Sequence, residues 1–515
     1  MTPKRKLLTD EATPSLKLVF RQSLVYTAGA WAGRFFNLVS APILTRIFVP
    51  GDFGVIDLIA TVHAAISLLL GLGLDSGFAR HYAASSDPQE REKYFGTLFV
   101  VRLAINIAVV VALCLKSEWV AEILFGDRQY ALVVFVAMLS QIPMTISQAL
   151  LLLLRYNMRA RAVAVLSVIS IATRLGFVLF FALVLNLGVA SIYFAALVNS
   201  FVFSLASGYF ARRYLHVAFS FDLLRKMLSF GLPLVPASMA YYLITFSDRY
   251  FINYYVSLHE LGLYAIGNKV TALITLLTAG FSTAWAPFLH STFMKPGANR
   301  TFRRIFNLYL TALFLFATVV SFFAVEVITI FATDVYISAY IVVPLLFYSL
   351  IVYQVGDYFP IGIGITRKTY HRAWIGGVTL VANLTFNYLL ISRYGMIGAA
   401  VSTLLSYSLY CGLLITVSER IYPVGFAIER GLFLMIVGGI LIAGVYSLQG
   451  LELTWQQMLW KAGVSLFVLA LPVVLGIVTK DDLAGFYHRA RQFARQIVTR
   501  SWTRRLDGHT GTKTD

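Results

Sequence analysis

Fourteen apolar runs, each near the length of a membrane-crossing helix, occupy most of the chain. They cover residues 23–48, 54–77, 95–115, 130–154, 162–185, 189–211, 227–247, 262–289, 305–326, 338–362, 373–391, 396–417, 430–448 and 457–479. A hydrocarbon layer about 30 Å thick needs roughly 20 residues at helical rise. The runs lack the continuous polar stripe of a soluble amphipathic helix. The pattern therefore predicts an all-α polytopic membrane protein with about 14 transmembrane helices, joined by segments too short to hold a soluble domain. Residues 480–515 follow a different rhythm. Leu483, Phe486, Tyr487, Ala490, Phe493, Ala494, Ile497 and Val498 recur at helical spacing, with Arg489, Arg491 and Arg500 flanking the face. This tail reads as a basic amphipathic helix on an anionic leaflet, or as a solvated helix packed under the protein.

A weak repeat divides the runs. Thr45-Arg46-Ile47-Phe48 and Gly51-Asp52-Phe53-Gly54 are matched by Asp248-Arg249-Tyr250-Phe251 and His259-Glu260-Leu261-Gly262, which sets Gly54 and Gly262 208 residues apart. Gly188 and Gly395 stand 207 apart, and the basic loops at Arg155 and Arg367 are 212 apart. The expected organisation is an N-tail (1–22), a six-helix lobe (23–211), a linker (212–226), a second six-helix lobe (227–417), two extra helices (418–479) and the basic tail (480–515). Six helices per half give both halves the same orientation. That predicts pseudo-two-fold symmetry about the membrane normal, with a site between the halves.

Composition sharpens this picture. The chain is 59% apolar and 13% charged, against about 45–50% and about 25% in soluble domains, which excludes a soluble enzyme or a nucleic-acid binder. Net charge is +18, and its placement follows the positive-inside rule. With a cytoplasmic N-terminus, 32 Lys and Arg fall on the cytoplasmic side and five on the other. Both termini are expected in the cytoplasm of a bacterial inner membrane. Cys114 and Cys411 lie within apolar runs, so no disulfide framework is expected. No nucleotide, metal or hydrolase motif stands out. No catalytic residue, metal or cofactor is expected.

Four cations fall within spans: Arg34, Arg102, Arg174 and Lys269. Buried charges cost about 2.5–3.5 kcal/mol each at a helix centre and generally face a cavity. Acids at matching depth are few, with Asp57 and Asp248 nearer the outer ends and Asp75 near the inner end of the second run. The interior should therefore be net cationic and suited to a diphosphate or another anionic head group. The alternative is that these cations tie helices together through the three acids. Asp248-Arg249 is a candidate outer-gate pair, and Pro233 and Pro236 could kink the seventh span into a hinge or a static bend. Asn37, Asn383 and Asn387 could bond sugar hydroxyls or bind helix to helix. The 15% aromatic content is expected to face lipid and the interfacial belts for the most part.

The residues resemble the polysaccharide-transporter branch of the multidrug/oligosaccharidyl-lipid/polysaccharide flippase superfamily. The matching stretches are Pro42-Ile-Leu-Thr-Arg-Ile-Phe-Val-Pro-Gly-Asp-Phe-Gly54, Gly71-Leu-Gly-Leu-Asp-Ser-Gly-Phe-Ala-Arg80, Ser247-Asp-Arg-Tyr-Phe-Ile-Asn253, Glu260-Leu-Gly-Leu-Tyr-Ala-Ile-Gly-Asn-Lys269 and Tyr394-Gly-Met-Ile-Gly-Ala-Ala400. The resemblance implies two pseudo-symmetric bundles, alternating access, and transfer of a polyprenyl-diphosphate-linked oligosaccharide for O-antigen, capsule or exopolysaccharide assembly. It implies a polysaccharide polymerase and chain-length proteins as partners. It also carries Arg46, Asp75, Arg80, Asp248, Arg249 and Lys269 as motif positions of structural or gating role. The rival readings are a cation-coupled drug antiporter, which would need a buried exchanging carboxylate, and a membrane polymerase or ligase, which would need a larger outward loop than residues 116–129.

Overall fold

The apolar runs fold as helices whose ends are set by local chemistry. The computed structural model describes residues 40–215, 218–366, 368, 370–448, 454–474 and 476. The N-tail, most of the first run with Arg34 and Asn37, and the tail from 480 lie outside the described residues.

In chain order the helices are α1 (Pro50–Gly71), α2 (Leu74–Ala84), α3 (Pro88–Leu115), α4 (Ser117–Phe125), α5 (Ala131–Tyr156), α6 (Ala160–Leu179), α7 (Ala190–Ala211), α8 (Phe221–Gly231), α9 (Val235–Tyr255) and α10 (Leu258–Thr271). They continue as α11 (Ile274–Thr292), α12 (Ala298–Phe322), α13 (Ala324–Phe331), α14 (Val343–Tyr358), α15 (Ile361–Thr366), α16 (Tyr370–Phe386), α17 (Ser392–Ile421), α18 (Ile428–Leu448) and α19 (Trp455–Val474). Over its described residues, each of the thirteen runs after the first is mainly helical, and the protein is a multi-pass membrane protein. Among the described residues, 11 helical segments are long and apolar enough to cross a membrane. One of those segments holds two runs, α16 and α17, folded back on each other at Gly395.

Start signals follow the usual logic of orphan N–H groups. Asp87 accepts from Gln89 N at the head of α3, with Pro88 at the first position. Ser257 Oγ accepts from Glu260 N at the head of α10. Pro233 and Pro236 fall in the short turn and first residues that join α8 to α9. There a missing N–H costs little, so they mark where α9 begins and the backbone stays helical through the junction.

Several spans are broken where the sequence predicts a single helix, and two of the breaks shape the site. The run at 54–77 ends as α1 at Gly71, because Leu72 and Gly73 adopt left-handed conformations (φ 46° and 67°), and α2 then sets off separately. The run at 262–289 is divided into α10 and α11 around Ala272 and Leu273. The expected loop at 116–129 is largely the short helix α4.

The repeat has a structural counterpart in three features. Helix α6 runs into a π-helical turn at Phe180–Val184, and α16 into one at Asn387–Ile391, each pair of bounds 207 apart. Gly188 and Gly395 follow these turns, both with positive φ (53° and 55°). The third is a reciprocal contact between α1 and α10. A Cβ on Gly54 would lie 2.0 Å from the Leu258 carbonyl oxygen, and one on Gly262 would lie 1.7 Å from that of Pro50. The offset of 208 exchanges both members of this contact, as a pseudo-two-fold axis between the helices requires.

The apolar core reports where the halves meet. One large cluster runs from Phe48, Phe53 and Leu58 to Leu261, Tyr336 and the body of α12 and α14. It joins the two halves at the arginine-poor face. A second cluster packs Met227 of α8 against Leu74, Phe78, Phe95 and Leu150 of the first half, and Ile363, Ile375 and Leu414 form a third within the second. The hydrogen bonds between the halves repeat the pattern. They are Thr45 Oγ1 to Phe331 O (3.1 Å), Tyr336 OH to Phe48 O (2.6 Å), Asn253 Nδ2 to Leu124 O (2.6 Å) and Tyr242 OH to Thr61 O.

Candidate functional site

Between the halves, beneath the glycine crossing, lies a charged cluster built on α1, α9 and α10. The Arg249 guanidinium sits 2.7 Å from Asp248 Oδ1 and 3.0 Å from Asp57 Oδ2. The second contact is an ion contact with its N–H not aimed at the oxygen. Asp248 also accepts from Tyr264 OH at 2.5 Å. The guanidinium lies over the Phe246 ring at 4.8 Å. Arg249 and Asp248 are buried, and Asp57 keeps 26% of its side chain accessible. Of these ion pairs, Arg249–Asp57 joins the first half to the second. This pair between the halves is one that entering water would loosen.

Arg174 and Lys269 flank this cluster. Both are accessible, and neither forms an ion pair with a described residue. Arg174 is within Coulombic range of His63 and Tyr193, which come from α1 and α7, so it faces inward. The His63 and Tyr193 rings meet edge-on at 6.3 Å, and Tyr193 OH donates to Ile56 O. Lys269 holds its ammonium 4.3 Å from the centre of the Phe53 ring. It borders a small cavity with Ala41, Ile266, Val270, Leu273 and Phe331. Asp57 lies within Coulombic range of Lys269 as well as touching Arg249. One carboxylate thus serves two cations, and the neighbourhood carries excess positive charge.

Arg102 departs from the expectation of an unpaired cation. Its Nη1 lies 2.8 and 3.1 Å from the Asp75 oxygens, and its Nη2 donates to Gln148 Oε1 at 2.9 Å. The break at Leu72–Gly73 allows this. It frees α2 to take its own direction, and Asp75, in its first turn, meets α3. Asp75 keeps 52% of its side chain accessible while Arg102 is buried. The remaining positions are more peripheral. Arg46 Nη1 donates to Pro42 O, and Arg80 lies over Phe230, 4.4 Å from the ring centre. Near Arg80, Gly73 and Gly231 press backbone to backbone, each leaving a would-be Cβ 2.1 Å from the other's carbonyl oxygen.

Asn383 and Asn387 are glue inside the second half. Ser247 Oγ donates to Asn383 Oδ1 and accepts from Asn387 Nδ2, both at 3.0 Å; Ser402 donates to Asn387 Oδ1 at 2.6 Å, and Asn383 Nδ2 donates to Ser406 at 3.0 Å. All five residues are buried.

Sequence reasoning missed two polar devices. Glu260 Oε2 accepts from Met396 N at 2.9 Å, fixing the start of the α17 span to α10. Its partner at the repeat offset, Asp52, accepts from Val49 N at the head of α1, so the two acids at helix starts were a readable signal. Lys461 on α19 pairs with Glu326 on α13 at 2.6 Å, with 1% and 7% of their side chains accessible. Nothing in the local pattern marks these two as partners.

The fold is shared with solved transporters. A lipid II flippase, MurJ, in an inward closed conformation superposes with a TM-score of 0.68 at 13% identity, covering 87% of this chain and 98% of that one. A multidrug resistance MATE family transporter of the MOP superfamily is similar in two conformations. The inward-facing form gives a TM-score of 0.58 at 14% identity over 81% of this chain and 96% of that one. The outward-facing form gives 0.54 at 15% identity over 79% and 96%. No curated protein sequence matches the chain. The family profile described as polysaccharide biosynthesis protein matches residues 19–293, more than half of the chain. By that match, the chain belongs to the polysaccharide biosynthesis protein family.

Proposed function

We propose that the protein is a flippase that moves a polyprenyl-diphosphate-linked oligosaccharide across the bacterial inner membrane by alternating access. In this reading residues 23–211 and 227–417 are two lobes that rock about a pseudo-two-fold axis, and both termini are cytoplasmic. The arginine-poor face is then periplasmic and shut, and the substrate enters from the cytoplasmic side. The protein forms no covalent bond itself. It hands the glycan lipid to a polysaccharide polymerase working with chain-length proteins.

One observation carries the reading. Arg174 and Lys269 form no ion pair with a described residue, and only Asp57, already against Arg249, lies near Lys269, so beside this seam between the halves an anion is the natural counter-charge. Arg34, on the first run, joins this set as a sequence expectation. Arg102 binds indirectly, by fixing Asp75 and Gln148. The opening step separates Arg249 from Asp57, and Pro233 and Pro236 mark the junction about which α9 swings. Binding of the diphosphate offsets the loss of that pair.

The test is an Arg174→Ala/Lys269→Ala variant in a strain that depends on this gene for surface polymer. The variant should insert at the wild-type level, lose surface polymer and accumulate lipid-linked oligosaccharide on the cytoplasmic leaflet. Wild-type surface polymer from that strain overturns the assignment.

A further inference from the structure

A groove in the second half is lined by tyrosines from three helices. Helices α9 and α14 both pack along α17 but make little direct approach to each other. The space between them is bridged by rings. Tyr241 on α9 meets Tyr353 on α14 at 5.8 Å; Tyr353 meets Tyr407 at 5.0 Å and stacks on Tyr410 at 6.3 Å with 14° between planes. The last two rings come from α17. Tyr241 is 46% accessible and Tyr353 and Tyr410 are partly so, while Tyr407 closes the floor. At the end away from the glycine crossing the groove reaches a polar pair, Arg372 and Asp357. Arg372 Nη1 donates to Asp357 Oδ1 at 3.0 Å, with about a third of each side chain accessible. The other end abuts Arg249 and Asp248, which lie within Coulombic range of Tyr407.

Rings carrying hydroxyls, partly open and bounded by charges at both ends, suit neither lipid tails nor a dry core. They suit a ligand with apolar C–H faces and a rim of hydroxyls. The face of an aromatic ring is electron-rich and accepts weakly positive C–H groups. A carboxylate–guanidinium pair offers both acceptors and donors to vicinal hydroxyls. A pyranose ring has this combination. We propose that the groove is a glycan subsite, in which the sugars of the translocated lipid stack on Tyr241 and Tyr353 and hydrogen-bond to Asp357 and Arg372. The proposal rests on the flippase reading and deepens it. The diphosphate sits at Arg174 and Lys269, and its sugars lie along α9 towards Arg372.

The experiment measures binding by the full-length protein in nanodiscs. One probe is the lipid-linked oligosaccharide pool extracted from producing cells; the other is undecaprenyl diphosphate, which carries no sugar. Wild type should bind both, the glycan lipid more tightly. Tyr241→Leu/Tyr353→Leu should weaken the glycan lipid about tenfold, equivalent to about 1.4 kcal/mol, and leave undecaprenyl diphosphate within twofold. Tyr241→Phe/Tyr353→Phe keeps the ring faces and should retain most of the preference. Arg174→Ala/Lys269→Ala should instead weaken both probes. If the leucine variant does not fold, Asp357→Asn tests the polar end of the groove with the same two probes. Equal loss of both probes, or loss of neither, in the groove variants overturns the subsite and leaves the transport reading standing. Failure of wild type to bind either lipid overturns both.

Discussion

Replacing Gly262 by alanine places a methyl group 1.7 Å from the Pro50 carbonyl oxygen and 2.6 Å from its carbon. Both are backbone atoms, so no rotamer change relieves the clash. Restoring ordinary contact, about 3.5 Å, requires α1 and α10 to part by nearly 2 Å at the point where the halves close. Overpacking of this kind costs about 1–3 kcal/mol. In the proposed cycle the cost falls on the closed arrangement alone, because that cycle separates the two helices when the face opens. A differential of about 1–3 kcal/mol shifts a two-state equilibrium roughly 5–150-fold. Gly51→Ala is the control. It lies one turn away on the same helix as Gly54, and an added methyl meets nothing within 4 Å. Alanine is the better helix former by about 1 kcal/mol, so this change should be neutral or slightly stabilising. The assay is electron–electron resonance between spin labels at Val49 and Tyr254, which are 59% and 69% accessible on opposite halves, in a background with Cys114 and Cys411 replaced. Gly262→Ala should populate a longer distance at that face, and Gly51→Ala should not. The reasoning fails if both variants give the wild-type distribution.

Lys461→Met strands the buried Glu326 carboxylate, a loss of about 3–5 kcal/mol, and should lower the thermal midpoint in detergent. Adding Glu326→Leu should return most of it, and a double variant as unstable as the single would refute the pairing. Asp57→Asn removes the charge pair that joins α1 to α9 and leaves Asp248–Arg249 intact. Because Asp57 is partly accessible, the closed state should weaken by only about 1–3 kcal/mol. The same spin labels should show this, and a wild-type distance distribution would refute a gating role.

The helices were legible because a membrane segment must satisfy its backbone internally and present apolar side chains, which leaves a run of fixed length in the sequence. The repeat was legible from Gly54, Gly262, Gly188 and Gly395, since glycine is kept where backbones touch or φ turns positive. Arg102 takes the alternative in which the span cations pair with the three acids, but its geometry was not legible. Reading 54–77 as one straight helix concealed the bend at Leu72–Gly73 that delivers Asp75 to it. The groove was invisible because its tyrosines come from three helices, and each alone looks like one more ring in an aromatic-rich chain. Lys461 and Glu326 lie 135 residues apart, beyond any local pattern.

The matching π-helical turns of α6 and α16 bear on the chain's ancestry. Each wide turn closes its hydrogen bond over one residue more than the α-helix around it, an irregularity that two unrelated helices would not adopt at one offset by shared apolarity alone. A single ancestral segment carrying the bulge, copied once and fused to itself, gives both. On that account the doubling came after the bulge.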